Sequence, residues 1–192
     1  MTMAPTDLPI LLFESQQKLA DWLADQHDQS AGVWLKLAKK GTNIPSVTYE
    51  EAVETALCYG WIDGQKKAFD EKYWLQKFTP RRSKSIWSKI NREKAEKLIA
   101  SGQMRPAGLA AVELAMESGR WDTAYDSQKT ITIPKDFQTE LDAHPKAKAF
   151  FESLTSAKRY SFLFRIQTAK KPETREKRIR QFTEMLERGE SF

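Results

Sequence analysis

The chain has 192 residues, of which 40% are hydrophobic and 30% are charged, and its net charge is +5 at pH 7. This composition excludes a chain that is disordered throughout and suffices for one domain, or for one domain with a small appendage. The N-terminus lacks the pattern of a signal peptide and no run of 18 apolar residues occurs, so we expect a cytosolic protein without a membrane span. The single cysteine, Cys58, excludes an internal disulfide and suits a reducing compartment.

Local patterns at the start of the chain predict a strand, a helix and a second strand. Residues 8–13 are a short apolar run, and Ser15 can cap the helix that follows. In residues 33–38, apolar side chains alternate with more polar ones, which predicts a half-buried strand.

The next stretch predicts a capped helix followed by a hairpin. Thr48 and Glu51 have the spacing of a capping box, and Gly60 can take the left-handed conformation that ends helices. Residues 61–69 and 72–79 are rich in aromatic and β-branched residues and are separated by an Asp-Glu turn signal. The first 80 residues therefore predict the order β-α-β-α-β-β.

From Ser85 onward the apolar spacing changes to that of helices, and no strand signal of similar quality returns. One helix should end at Gly102 and another should begin at Pro106. For the latter we predict an apolar stripe formed by Leu109, Val112 and Met116.

The predicted fold class is therefore α+β, with a small and mostly antiparallel sheet in the N-terminal part and an all-helical C-terminal unit. The expected organisation is an α+β core domain (1–121), a linker (122–133) crossing the surface and a helical C-terminal module (134–192).

The charges are strongly segregated along the chain. Residues 71–105 carry +7 and residues 146–192 carry +6, whereas residues 1–70 and 106–145 carry −4 each. Two such basic islands can bind polyanions or small anions, and they can equally be solvated helix faces.

Aromatic and polar residues of the predicted strands suggest a ligand site. If each strand alternates regularly, tryptophans and polar side chains share one sheet face, which forms an apolar pocket with orienting hydrogen bonds. The predicted site residues are Trp34, Lys36, Trp61, Asp63, Gln76 and Arg81. Asp63 would pair with Lys36, Arg81 or Lys66, and Gly64 would let a neighbouring strand approach closely. Arg81 would contact a bound anion, because its planar fork suits a carboxylate or a phosphate.

Three alternatives to this ligand site stay open. The C-terminal helices can cover the face, in which case the tryptophans are simply core. Asp63 can act as an acid or base in an enzyme, with a strongly shifted titration as its signature. Finally, the protein can bind nucleic acid through its basic islands, although no recognised nucleic-acid motif occurs.

Metal and nucleophilic chemistry have little support in the sequence. His27, His144 and Cys58 lie far apart along the chain, so we expect no metal site and no cofactor. Cys58 would be a nucleophile only beside a base. Since it ends the apolar face of the predicted helix, we expect a buried thiol that reacts slowly.

Several longer segments resemble a known family. These are LLFES, GVWLKLAKKG, TYEEAVETALCYGWIDGQ, QKFTPRRSKSIWSKINREKAE, AFFESL and RIQTAKKPETREKRI. They are similar to bacterial proteins described as bacteriocin-protection, YdeI or OmpD-associated. The resemblance implies resistance to cationic antimicrobial peptides and association with an outer-membrane porin, and it brings no catalytic residue to this chain. Together with the residues above, it leads us to expect a non-enzymatic cytosolic protein, linked to stress or peptide resistance, that holds a small anionic ligand.

Overall fold

The computed structural model describes residues 8–192 and divides into two compact units. The first unit comprises residues up to 87 together with 91–123, and the second comprises 88–90 together with 124–192. The first seven residues of the predicted core domain lie outside the described part, and the predicted domain bounds stay a prediction.

The first unit contains a four-stranded sheet, which confirms that the strands come from the first 80 residues. The strands are β1 (Ile10–Leu11), β2 (Val33–Ala38), β3 (Trp61–Ala68) and β4 (Tyr73–Pro80), in the spatial order β1-β2-β4-β3. β1 runs parallel to β2, and the other two pairings are antiparallel. β1 is shorter than predicted, because only two of its residues pair with β2.

Four helices accompany this sheet. They are α1 (Gln16–Gln26), α2 (Tyr49–Cys58), α3 (Lys89–Ala100) and α4 (Pro106–Glu117). The first two residues of α3 belong to the second unit. The predicted caps are present, since Ser15 Oγ accepts from the Lys18 amide and Thr48 forms a complete capping box with Glu51. These hydrogen bonds satisfy backbone amides of the first helical turn, which have no partner within the helix.

One face of the sheet and the helices α1 and α2 form the core of this unit. Val33, Leu35 and Leu37 of β2 are each 1% exposed, as are Leu19 and Leu23 of α1. Burial of such a side chain contributes roughly 1.5–3 kcal/mol, so this layer fixes which face of β2 points inward.

Glycine brings α2 and α4 into close contact. Gly60 ends α2 with φ +71°, and a Cβ there would lie 2.7 Å from the Ala107 carbonyl oxygen. A Cβ on Gly108 would collide with the Cys58 carbonyl oxygen and the Met104 sulfur. Only glycine fits at these two positions without a shift of the backbone.

The predicted apolar stripe of α4 is right for Val112 and wrong for Leu109 and Met116. The buried positions are Gly108, Val112 and Ala115, whereas Leu109 and Met116 are 37% and 49% exposed. The helix turns its small residues inward because its axis approaches α2 too closely for large side chains.

The second unit is helical, as predicted. Its helices are α5 (Lys135–Ala143), α6 (Pro145–Ser153), α7 (Ser156–Gln167) and α8 (Pro172–Glu187). Phe137, Phe151, Phe162 and Phe182 form a chain of edge-to-face ring contacts in its core, with centroids 5.3–6.2 Å apart. No helix within residues 8–192 is long and apolar enough to cross a membrane.

Asp126 anchors the segment before α5 within the second unit. Its amide donates to Gln167 Oε1 at 3.0 Å, Gln167 Nε2 donates to its carboxylate at 2.6 Å, and Lys89 Nζ lies 2.7 Å from Oδ1. Burial raises the pKa of Asp126, but the hydrogen bonds from Lys89 and Gln167 outweigh it and leave the pKa below its ordinary value.

Candidate functional site

The strand register corrects the predicted sheet face. Residues paired across two strands point to the same face, and Gln76 pairs with Leu35 of the core face. Trp34 pairs instead with Lys77, and Lys36 pairs with Leu75. Trp34 and Lys36 therefore lie on the face opposite Gln76, and the prediction of one shared face is wrong.

Trp61 is part of the core, where it contacts α1 and the residue that caps it. It is 1% exposed, its ring meets Trp22 edge-on at 5.8 Å, and its Nε1 donates to the His27 carbonyl at 3.0 Å. This hydrogen bond satisfies the one polar atom of a large buried ring. The alternative that the C-terminal helices cover the sheet face stays a prediction.

Asp63 and Gln76 lie on the core face, and the pairing of Asp63 with Lys36, Arg81 or Lys66 was predicted wrongly. The partner of Asp63 is Tyr49, whose hydroxyl donates to the carboxylate at 2.7 Å. Gln76 is 4% exposed, and its amide donates to the Gly64 carbonyl at 2.8 Å, where the β3–β4 register shifts. A Cβ on Gly64 would meet Lys77 at an ordinary 3.8 Å, so no close strand approach requires this glycine.

Arg81 is the predicted site residue that borders a cleft. It directly follows β4, and its amide donates to the Gly60 carbonyl at 2.9 Å. The guanidinium carbon lies 3.6 Å from the centroid of Trp87, and Nη1 donates to the Ile86 carbonyl at 3.3 Å. Because Trp87 is 3% exposed and packs on Trp121 at 4.9 Å, Arg81 rests on a rigid aromatic support.

Two further arginines line the same cleft, which we call the arginine cleft. Its lining residues are Arg81, Arg82, Ser83, Ser85, Trp87, Ala111, Leu114, Ala115 and Arg120. The lining thus combines three guanidinium groups with two hydroxyls and contains no carboxylate. The cavity measures about 30 Å³, which is space for roughly two water-sized groups.

Local backbone structure holds the arginine cleft in place. The Arg82 amide donates to Ser85 Oγ at 3.0 Å, and the Ser85 amide donates to the Arg82 carbonyl at 2.9 Å, which closes a tight turn. Gly119, with φ +66°, ends α4 so that the Arg120 amide donates to the Ala115 carbonyl at 2.9 Å.

Two of the three guanidinium groups are available to a ligand. Within residues 8–192, the side chains of Arg82 and Arg120 make no hydrogen bond or ion pair. The pair Arg81-Arg82 beside a tryptophan was visible in the sequence. Arg120 was not predicted as a site residue. It lies near Arg81 and Arg82 only because of how α4 packs, and no sequence signal marks it.

A second and larger cavity lies beside Cys58. It measures about 710 Å³ and is lined by residues of α1 and α2 and by the turn before α4. Both of its acids have partners, since Glu54 lies 2.6 Å from Lys94 and Glu51 belongs to the capping box with Thr48. Cys58 is 8% exposed, as we predicted, and burial raises the pKa of its thiol despite the opposing charge of Arg105. At neutral pH the thiol is therefore protonated, which does not favour a nucleophilic role.

The fold and the cleft define an α+β protein with a helical C-terminal unit and an arginine-lined cavity. Residues 11–111, more than half of the chain, match the family model described as Domain of unknown function (DUF8412), and the chain belongs to that family. Residues 130–189 match the model described as Bacteriocin-protection, YdeI or OmpD-Associated, which confirms the resemblance noted in the sequence. No curated protein and no solved structure gives a match.

Proposed function

We propose that this chain is a binding protein for a small anionic ligand, whose phosphate or carboxylate group is held in the arginine cleft. The observation that carries the proposal is the lining itself, because Arg81, Arg82 and Arg120 line one cavity and no carboxylate is among its lining residues. A guanidinium can donate two parallel hydrogen bonds to the oxygens of such a group.

The surroundings of Arg81 favour binding. Its stacking on Trp87 holds the guanidinium in place before a ligand arrives, so little conformational freedom remains to be lost on binding. The apolar side chains of Ala111 and Leu114 line the same cavity and reduce the local dielectric, which strengthens charge pairing.

The size of the cavity sets what enters it. A space of about 30 Å³ admits one or two ligand oxygens and leaves the rest of the ligand outside. The proposed site therefore recognises a terminal anionic group. It does not require a particular whole molecule.

The cellular role of the chain is the second part of the proposal. We place the protein in the cytosol and assign it a role in stress or in resistance to antimicrobial peptides. The description of the C-terminal family model, which names bacteriocin protection, supports the role in peptide resistance. The geometry of the arginine cleft does not depend on this role.

Isothermal titration calorimetry tests the proposed ligand class. Inorganic phosphate, pyrophosphate and acetate are titrated at constant ionic strength into the wild type, into Arg82→Gln/Arg120→Gln, and into a control. The control is Lys84→Gln/Lys97→Gln, which removes the same charge from exposed positions outside the cleft.

We expect at least one of these anions to bind the wild type with a stoichiometry of one. The arginine variant should bind at least tenfold more weakly, since each charged hydrogen bond contributes roughly 1.5–3 kcal/mol. Equal weakening by the lysine control would assign the binding to overall charge, and no heat with any of the three anions would overturn the proposal.

A further inference from the structure

The face of the sheet opposite the core, which we call the outer face, combines aromatic rings with lysines. The register places these side chains together: Trp34 beside Lys77, and Lys36 and Lys67 on either side of Leu75. Trp34 and Lys77 are half-buried and Lys67 is exposed, whereas Leu75 is buried. The aromatic and lysine side chains of this face are therefore partly accessible.

Each ring of the outer face has an ammonium group near it. Lys36 Nζ lies 4.1 Å from the centroid of Tyr73 and 4.7 Å from that of Phe69. Around Trp34, Lys67 Nζ is 4.9 Å and Lys77 Nζ is 5.9 Å from the ring centroid. Flat apolar surfaces and positive charges therefore alternate over a few ångströms.

These positive charges are only partly compensated. Asp70 approaches Lys36 to 4.0 Å, which is the limit of an ion pair. Lys67 and Lys77 form no ion pair within the described residues. The outer face thus carries a net positive charge that a polyanion can neutralise.

We infer that the outer face binds single-stranded nucleic acid, with lysines on the phosphates and bases stacked on Trp34 and Tyr73. Unpaired bases expose the ring faces that stack on aromatic side chains, and such stacking tolerates any sequence. A duplex keeps its bases stacked inside and offers these rings no partner. An acidic protein segment would pair with the lysines but would also leave the rings unused. Because both kinds of contact occur with either sugar, we expect RNA and DNA to bind alike.

Fluorescence anisotropy with labelled 15-nucleotide oligo(dT) and oligo(U), repeated over a range of salt concentrations, tests this inference. The variant Lys67→Gln/Lys77→Gln removes two phosphate contacts, and Trp34→Ala removes one stacking surface. The matched control is Lys18→Gln/Lys97→Gln, which changes exposed lysines of α1 and α3. Circular dichroism confirms that each variant is folded.

We expect the wild type to bind both oligonucleotides. A labelled 15-base-pair DNA duplex, measured in the same way, should bind at least tenfold more weakly. Lys67→Gln/Lys77→Gln should weaken binding about tenfold and reduce the salt slope by roughly 1.4, which is 0.7 for each lost contact. Trp34→Ala should cost roughly tenfold, and the control should bind like the wild type.

Three results would overturn the inference: no binding by the wild type, equal affinity for the duplex, or equal weakening by the control. The inference is separate from the arginine cleft. Arg82→Gln/Arg120→Gln should leave oligonucleotide binding unchanged, and Lys67→Gln/Lys77→Gln should leave phosphate binding unchanged, so failure of one proposal is distinguishable from failure of the other.

Discussion

Replacing Asp126 with alanine should selectively destabilise the second unit. The variant loses the ion pair to Lys89 and the hydrogen bond from Gln167, whose atoms lie 2.7 and 2.6 Å from the carboxylate. Lys89 is 45% exposed, so the ion pair contributes at most about 1 kcal/mol. The hydrogen bond to the better buried carboxylate contributes about 1.5 kcal/mol. We therefore expect a loss of about 1.5–2.5 kcal/mol in the free energy of unfolding.

The distribution of tryptophan makes the selective effect measurable. All six tryptophans lie between residues 22 and 121, within the first unit. Urea unfolding followed by tryptophan fluorescence therefore reports on that unit, whereas circular dichroism at 222 nm also reports on the helices of the second. With Asp126→Ala, part of the dichroism transition should move down by roughly 1–2 M urea, while the fluorescence transition stays in place.

The pH dependence provides a further check. Because the pKa of Asp126 is lowered in the folded protein from the ordinary 3.8, its contribution is complete above that pH and is lost as the pH falls through the folded pKa. The difference between wild type and variant should be full at pH 7 and should close below about pH 3.8. Asp122→Ala, an exposed neighbour in the same segment, is the control. Equal loss in that control, or a difference independent of pH, would show that the Asp126 carboxylate does not stabilise the second unit.

Three further predictions concern the first unit. Cys58 should react with a thiol reagent much more slowly in the native protein than in urea, because burial both shields the thiol and raises its pKa; fast stoichiometric labelling would contradict this. Gly108→Ala should lower the free energy of unfolding by about 1–3 kcal/mol, since the added methyl group collides with the Cys58 carbonyl, and an unchanged urea midpoint would show that the helices can separate at no cost. Trp61→Phe should cost about 1–3 kcal/mol in thermal unfolding, because the His27 carbonyl loses its indole donor; an unchanged melting temperature would show that water replaces the indole.

Signals confined to a few neighbouring residues predicted the fold well. The capping box of Thr48 and Glu51, the helix end at Gly60 and the hairpin around residues 70 and 71 all depend on local backbone chemistry, and all are present. The change of period near Ser85 likewise separated the strands from the helices that follow.

The candidate site depended on longer-range geometry, which sequence alternation does not contain. Alternation shows that Trp34 and Lys36 share a face, and that Trp61 and Asp63 share one. It does not show which face of one strand matches which face of the next. A shift of one residue in the pairing register moves every side chain of a strand to the opposite face of the sheet. Arg120 lies near Arg81 only because of the packing of α4, in which the small residues Gly108 and Ala115 face inward in place of the predicted large ones.

The most direct test of the arginine cleft is a titration of the protein with inorganic phosphate, observed by NMR at the arginine side-chain Nε–H resonances. Assignment by single Arg→Lys substitutions identifies the signals of Arg81, Arg82 and Arg120. We expect these three signals to shift together and to saturate with one dissociation constant, while the signals of arginines outside the cleft, such as Arg105, stay in place. Uniform small shifts at every arginine, or no shift at these three, would contradict this expectation.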